Sequence, residues 1–204
     1  MSPRSYKSEK RQASNEETKL RIVEAARLLL ADEANPADLS MEAIARKADV
    51  SRLTIYYQFG SRPGLLDALY DHLAKRGGMY EMGKVFEESD PMKMLEKMVQ
   101  RFITFWSSDP VVMRRLRSMS SLDPEVAAGV RARDARRQHI SEEILRRLDR
   151  SEPKRAEKNL KLAADVFCML TSFETYDALA HAGHSDGQIA RTVIALTKLA
   201  IPPA

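Results

Sequence analysis

The chain has 204 residues, enough for one ordinary domain or a small domain joined to a larger one with a substantial core. Its 44% hydrophobic and 30% charged residues, with only 8 glycines and a net charge of +4, fit a charged-surfaced helical protein better than a disordered or sandwich-like one. No apolar run reaches about 18 residues and the N-terminus MSPRSYKSEKRQASNEE lacks an apolar signal core, so neither membrane spanning nor secretion is supported and the cytoplasm is the expected compartment. A single cysteine, Cys168, excludes an internal disulfide, and its setting DVFCML suits a buried thiol.

In chain order, residues 1–14 read as a flexible basic arm, with Arg4, Lys7, Lys10 and Arg11 against Glu9 and no apolar periodicity. A first helix is predicted from Glu16 to Ala31, with Ile22, Ala26, Leu29 and Leu30 at helical spacing and Ser14 and Glu17 as a capping pair. After the break EANPAD, a short second helix starts behind the Ser40 cap, turns Ile44, Ala45 and Ala48 inward and ends near Asp49. Asp49 tolerates the left-handed conformation of a tight turn, and Ser51 caps a third helix from Arg52 to Phe59. Pro63 opens a fourth helix carrying Leu65, Leu66, Leu69 and Leu73, which Gly77 and Gly78 either end or interrupt. From Pro91 onward the pattern is one of long amphipathic helices: one from Pro91, one from Pro110, one from Pro124, one over Lys154–His181 and a last one beginning SDGQ. The predicted fold is all-α with about nine helices. The boundaries drawn are a helix-turn-helix domain at 15–62, a connecting helix and linker at 63–90, and a larger helical bundle at 91–204.

The stretch DVSRLTIYYQFGSR concentrates aromatic and hydrogen-bonding side chains on a helix that needs only Val50, Ile55 and Phe59 for packing. A helix, a tight turn and a second helix can project the second helix into a DNA major groove, its N-terminal side chains toward base edges. Ser51, Arg52, Leu53, Thr54, Tyr56, Tyr57 and Gln58 are then the candidate DNA contacts. Arg52 has the bidentate geometry that guanine O6 and N7 accept, Tyr and Thr hydroxyls donate to phosphates, and Leu53 suits a thymine methyl or packs on Tyr57. Glu42 either accepts from a cytosine amino group or supports the first turn of its helix, the second being preferred.

With these residues in place, EAIARKADVSRLTIYYQFGSRPGLL resembles the helix-turn-helix signature of the TetR-like transcriptional regulators over about residues 16 to 75, with the strongest agreement from Ala45 to Leu66. The resemblance implies that Thr54, Tyr56 and Tyr57 contact phosphates, that Arg52 and Leu53 lie over bases, and that Arg62 takes the phosphate-binding role of the usual lysine. Asp49 departs from the glycine more usual at the turn. The resemblance further implies a homodimer joined through the last two helices, an inverted-repeat operator and a pocket for a small effector in the bundle. Its expected action is repression relieved by a hydrophobic effector, with no cofactor and no metal.

Met98, Phe102, Phe105, Trp106, Met113, Met119, Phe167, Phe173 and Tyr176 are the candidate pocket residues, since Met and aromatic side chains can repack around an apolar guest. Each of them alone reads more readily as core. The arginines at 114, 115, 117, 131, 133, 136 and 137 could hold an anionic group, but consecutive helical residues point in different directions and most must face water. His181 and His184 read as a solvated helix end rather than a metal site. Two other readings stay open: an architectural DNA binder without an effector, and an all-helical enzyme. Against the enzyme, the sequence has no Gly-rich phosphate loop, no Ser elbow and no His pair four apart with an intervening Glu.

Overall fold

Helix α1 (Pro3–Ala31) begins well before the Ser14 cap that the sequence suggests. Residues 4–13 hold no glycine and are mostly Lys, Arg, Glu, Gln and Ala, good helix formers, while Pro3 occupies the first helical position, where its missing N–H costs nothing. Ser14 therefore lies mid-helix, its carbonyl accepting from the Thr18 hydroxyl at 2.9 Å, and the described part of the predicted arm, from Pro3 onward, is continuous with this helix. The computed structural model describes residues 3–32, 39–150 and 157–200, so the EANPAD break and the terminal prolines lie outside the described residues, as do the side chains of Arg4, Lys7, Lys10 and Arg11.

Helices α2 (Met41–Ala48) and α3 (Arg52–Phe59) have the predicted bounds, for the predicted reasons. The Ser40 side chain accepts from the Ala43 amide at 3.2 Å and the Ser51 side chain from the Thr54 amide at 3.0 Å, each satisfying a donor that a helix start leaves unpaired. Between them Asp49 adopts φ 51°, ψ 53°, the left-handed region. Helix α4 (Arg62–Arg76) ends where Gly78 turns to φ 74°, which settles the role of the glycine pair.

A 3₁₀ turn at Met79–Glu81 and the short α5 (Met82–Phe86) fill what reads as linker. Then come α6 (Pro91–Ser107), α7 (Pro110–Met119), α8 (Pro124–Arg150), α9 (Glu157–Leu170), α10 (Phe173–His181) and α11 (Asp186–Ala200). The helix predicted over Lys154–His181 is two. Ser172 caps α10 by accepting from the Thr175 amide at 3.2 Å, and the Trp106 indole donates to the Thr171 carbonyl at 2.9 Å, satisfying a group exposed by the break. Helix α11 starts with a reciprocal cap, the Ser185 amide donating to the Gln188 side chain at 2.9 Å and the Gln188 amide to the Ser185 hydroxyl at 3.4 Å. Among the described residues there are thus eleven α-helices and no strand, and no helix is long and apolar enough to cross a membrane.

The chain divides into two compact units, one comprising the chain up to Leu73 together with Arg114–Gly129, the other Ala74–Met113 together with the chain from Val130 onward. In the first, Ile22, Val23, Ala26 and Leu30 of α1 are buried with Ile44, Ala45 and Ala48 of α2, Ile55 of α3 and Leu65, Leu66 and Leu69 of α4. The Tyr70 hydroxyl reaches across to donate to the Val126 carbonyl at 3.1 Å. Gly129 allows that approach, because a Cβ there would lie 2.3 Å from the Tyr70 ring. In the second unit α6 contributes Met94, Leu95, Met98, Val99, Phe102 and Ile103 to a core shared with Phe167, Ile189 and Val193.

The left-handed turn gives a direct test. Asp49→Val, a β-branched residue in that conformation, should lose about 1–2 kcal/mol of stability in urea unfolding, while Asp49→Gly stays within about 1 kcal/mol of the parent. Equal stabilities for the two variants would mean that the turn imposes no left-handed requirement.

Candidate nucleic-acid interface

Helix α3 has one inward anchor and one outward face. Ile55 is fully buried, whereas Leu53 is 77% and Tyr57 82% exposed. These two stand four apart on one face, beside Tyr56, which is also exposed. Large apolar and aromatic side chains left in water on a rigid helix mark a surface that meets something else. At the helix start the Ser51 and Thr54 hydroxyls are 2.8 Å apart, so each is held in place while Thr54 remains half-exposed.

Arg52 opens the helix with its guanidinium paired to the Glu42 carboxylate of α2, both side chains more than half exposed. Glu42 is therefore not turned solely to its own helix end, where Ser40 already caps. Gln58 does not share the outward face. It is half-buried, its amide donates to Asn15 of α1, and its own oxygen is buried without a hydrogen-bond partner. Phe59 and Val50 are half-buried, in line with a packing role.

Arg62, at the start of α4, is likewise engaged. One guanidinium nitrogen donates to Asp123 at 2.6 Å and the other reaches both Asp123 and Glu125, with the Arg62 and Asp123 side chains three-quarters buried. Asp123 also accepts from the amides of Glu125 and Val126, capping α8. The Arg62 guanidinium, helped by these amides, holds the Asp123 carboxyl below its ordinary value against the opposing effect of burial. Leu39, Ser40, Met41, Glu42, Arg52, Arg62, Met119 and Asp123 line a hollow of about 600 Å³ in which both arginines meet their carboxylates. Met119, read from the sequence as a pocket residue of the bundle, lines this hollow instead.

Of the other candidate pocket residues, Met98, Phe102, Trp106, Met113, Phe167, Phe173 and Tyr176 are buried, and Phe105 half-buried. Phe105, Trp106, Phe173 and Tyr176 form a chain of rings with successive centroids 4.5, 5.5 and 6.3 Å apart. The Tyr176 hydroxyl lies 3.4 Å from Asp186, and burial together with that carboxylate pushes its pKa up to about 12. A hollow of about 380 Å³ in the same unit is lined by other residues, among them Glu81, Lys97, Gln100 and Arg101. The basic run on α8 diverges as its spacing implies: Arg131 and Arg136 face water, while Arg137 turns inward, pairs with Asp134 and donates to the Cys168 carbonyl. Burial raises the pKa of the half-buried Cys168 thiol, which disfavours the thiolate. His181 bonds the Asp177 carbonyl of its own helix at 2.8 Å. Among the described residues no three His, Cys, Asp or Glu side chains converge on a metal position.

A capped helix, a left-handed turn and a second helix with an exposed N-terminal face define a helix-turn-helix DNA-binding unit. Residues 22–69 match the family of bacterial regulatory proteins of the tetR type. The chain is similar in structure to a TetR-like transcriptional regulator from Rhodococcus sp. RHA1, with a TM-score of 0.63 at 17% identity over 88% of this chain and 93% of that one. It is similar also to a TetR transcription regulator from Haloarcula marismortui, with a TM-score of 0.67 at 15% identity over 91% and 97%. No curated protein matches in sequence. The family match thus covers the helix-turn-helix and the helices around it, and the fold of the chain is that of the TetR-like transcriptional regulators.

The Arg62 cluster predicts a pH-dependent contribution to stability. Arg62→Ala should cost about 1–2 kcal/mol near pH 7. Because the folded-state pKa of Asp123 is depressed, the stabilisation exists above the ordinary value of 3.8 and is lost as pH falls through the lowered one. Urea titrations of parent and variant should converge below about pH 4. A gap that stays constant from pH 7 to pH 3 would show that the ion pair contributes nothing.

Proposed function

We propose that the protein is a homodimeric transcriptional repressor that places two α3 helices in successive major grooves of an inverted-repeat operator, about 34–36 Å apart. The observation that carries this is the outward face of α3, with Leu53 and Tyr57 almost fully exposed beside Arg52 behind a turn built to present them. In this reading Arg52 and Leu53 meet bases, while Ser51, Thr54, Tyr56 and Tyr57 hold the backbone. Gln58 acts from behind, tying α3 to α1 through Asn15, and Arg62 reaches phosphate only by leaving Asp123 and Glu125. Such a regulator works beside the chromosome, in the cytoplasm.

Dimerisation is assigned to α9 and α11. Ile189, Ala190, Val193 and Thr197 of α11 face inward, leaving Leu196 and Leu199 exposed, and Leu162 and Met169 stand seven apart on the exposed side of α9. Helix α10 contributes inward aromatics instead. The effector is an apolar molecule admitted among Met98, Phe102, Trp106 and Phe173, where methionine and stacked rings can repack. Helices α4, α7 and α8 each continue from one unit into the other, so an effector that prefers one arrangement of the bundle has covalent routes to the DNA-binding unit.

Sequencing of genomic fragments retained by the purified protein at physiological salt should yield a few sites that share an inverted repeat. Scattered fragments without a common repeat would favour an architectural binder. Arg52→Ala should relax preference at one base position per half-site at a cost of about 1–3 kcal/mol. Leu196→Glu with Leu199→Glu should give a monomer in sedimentation and weaken operator binding at least tenfold, roughly the loss expected when one of two linked half-sites is given up. A double variant that stays dimeric would move the interface elsewhere.

A further inference from the structure

Glu42 and Arg52 form an ion pair between the first turn of α2 and the first residue of α3, on the face that the proposed function turns toward DNA. Both side chains are more than half exposed, so the pair adds little to folding stability. The α2 start has its own cap in Ser40, so the carboxylate is not required there as a hydrogen-bond acceptor. An uncompensated carboxylate facing a polyanion would weaken binding, and an untethered arginine would settle on any phosphate within reach. Paired, the two charges cancel and the guanidinium is held by one nitrogen, with its remaining N–H edge left to present to a base. Guanine, with O6 and N7 both accepting in the major groove, is the base that such an edge matches. The pairing of Arg62 with Asp123 across the same hollow shows a second arginine of this surface held by a carboxylate.

We infer that Glu42 is a specificity-determining, positioning residue. It fixes the Arg52 guanidinium so that Arg52 reads a guanine rather than binding phosphate, an assignment that rests on the DNA-reading role proposed above. Glu42 itself touches no base. Its removal trades discrimination for general affinity.

The test is selection of binding sequences from a randomised duplex pool by the full-length protein and by Glu42→Gln, Glu42→Asp, Arg52→Ala and the Glu42→Gln/Arg52→Ala double variant, with thermal unfolding of each as a folding control. The parent should select an inverted repeat with a strong guanine preference at one position per half-site. Glu42→Gln and Arg52→Ala should both lose about tenfold of that preference, at the same position. For Glu42→Gln, binding to unselected duplex should tighten and the slope of log affinity against log salt should steepen by roughly one unit. Glu42→Asp keeps the charge at the helix start but withdraws it from Arg52, so it too should blur the position, whereas a carboxylate serving only its own helix would leave the preference intact. An unchanged preference in both Glu42 variants overturns the inference. So does a Glu42→Gln effect that persists in the Arg52→Ala background, which would make Glu42 a direct reader. A parent protein that enriches no sequence would remove the DNA-reading role itself, and the positioning role with it.

Discussion

The outward face of α3 depends on one backbone constraint: the chain must turn within the three residues Asp49–Ser51 so that α3 leaves α2 with Ile55 inward. Only a left-handed residue does this in so short a space, and Asp49 accepts it at a cost of about 1 kcal/mol. The Ser40 and Ser51 caps contribute about 1 kcal/mol each, and burial of Ile55 about 2–3 kcal/mol, so the turn is held with margin. Because helical side chains repeat every 3.6 residues, fixing Ile55 inward forces Leu53, Tyr56 and Tyr57 outward. The exposure of those residues is thus a geometric consequence of the core and needs no separate stabilisation.

Charge on this unit is arranged with comparable economy. Arg52 and Arg62 each rest against carboxylates, and His72 of α4 meets Glu24 of α1 at 2.9 Å beside Arg27. Arg27, with His72, keeps the Glu24 carboxyl ionised below its ordinary range despite burial. A surface of this kind is less sticky toward arbitrary polyanions than its count of basic residues implies.

Local chemistry was legible in the sequence wherever it acts over a few residues. The Ser40 and Ser51 caps, Asp49 in the turn, and the starts of α6, α7 and α8 at Pro91, Pro110 and Pro124 are all short-range, and all are found where the spacing places them. The start of α1 was misread because a stretch rich in charged and polar residues has no apolar period to reveal a helix. The break at Thr171 was missed because apolar spacing runs across it, and the Trp106 indole that satisfies the carbonyl lies far away in sequence. In the candidate site, exposure of Leu53, Tyr56 and Tyr57 followed from the helical period. The partners of Arg52, Gln58 and Arg62 did not, since Glu42, Asn15, Asp123 and Glu125 are brought near by tertiary packing.

The DNA-binding unit is not one piece of chain. Arg62 and Tyr70 find their partners at Asp123, Glu125 and Val126, and the close approach at Gly129 completes that seam. A ribosome releasing this protein would have emitted the exposed face of α3 well before Asp123, Glu125 and Val126. The contacts of Arg62 and Tyr70 with that segment therefore form only after Ala74–Met113 has already emerged.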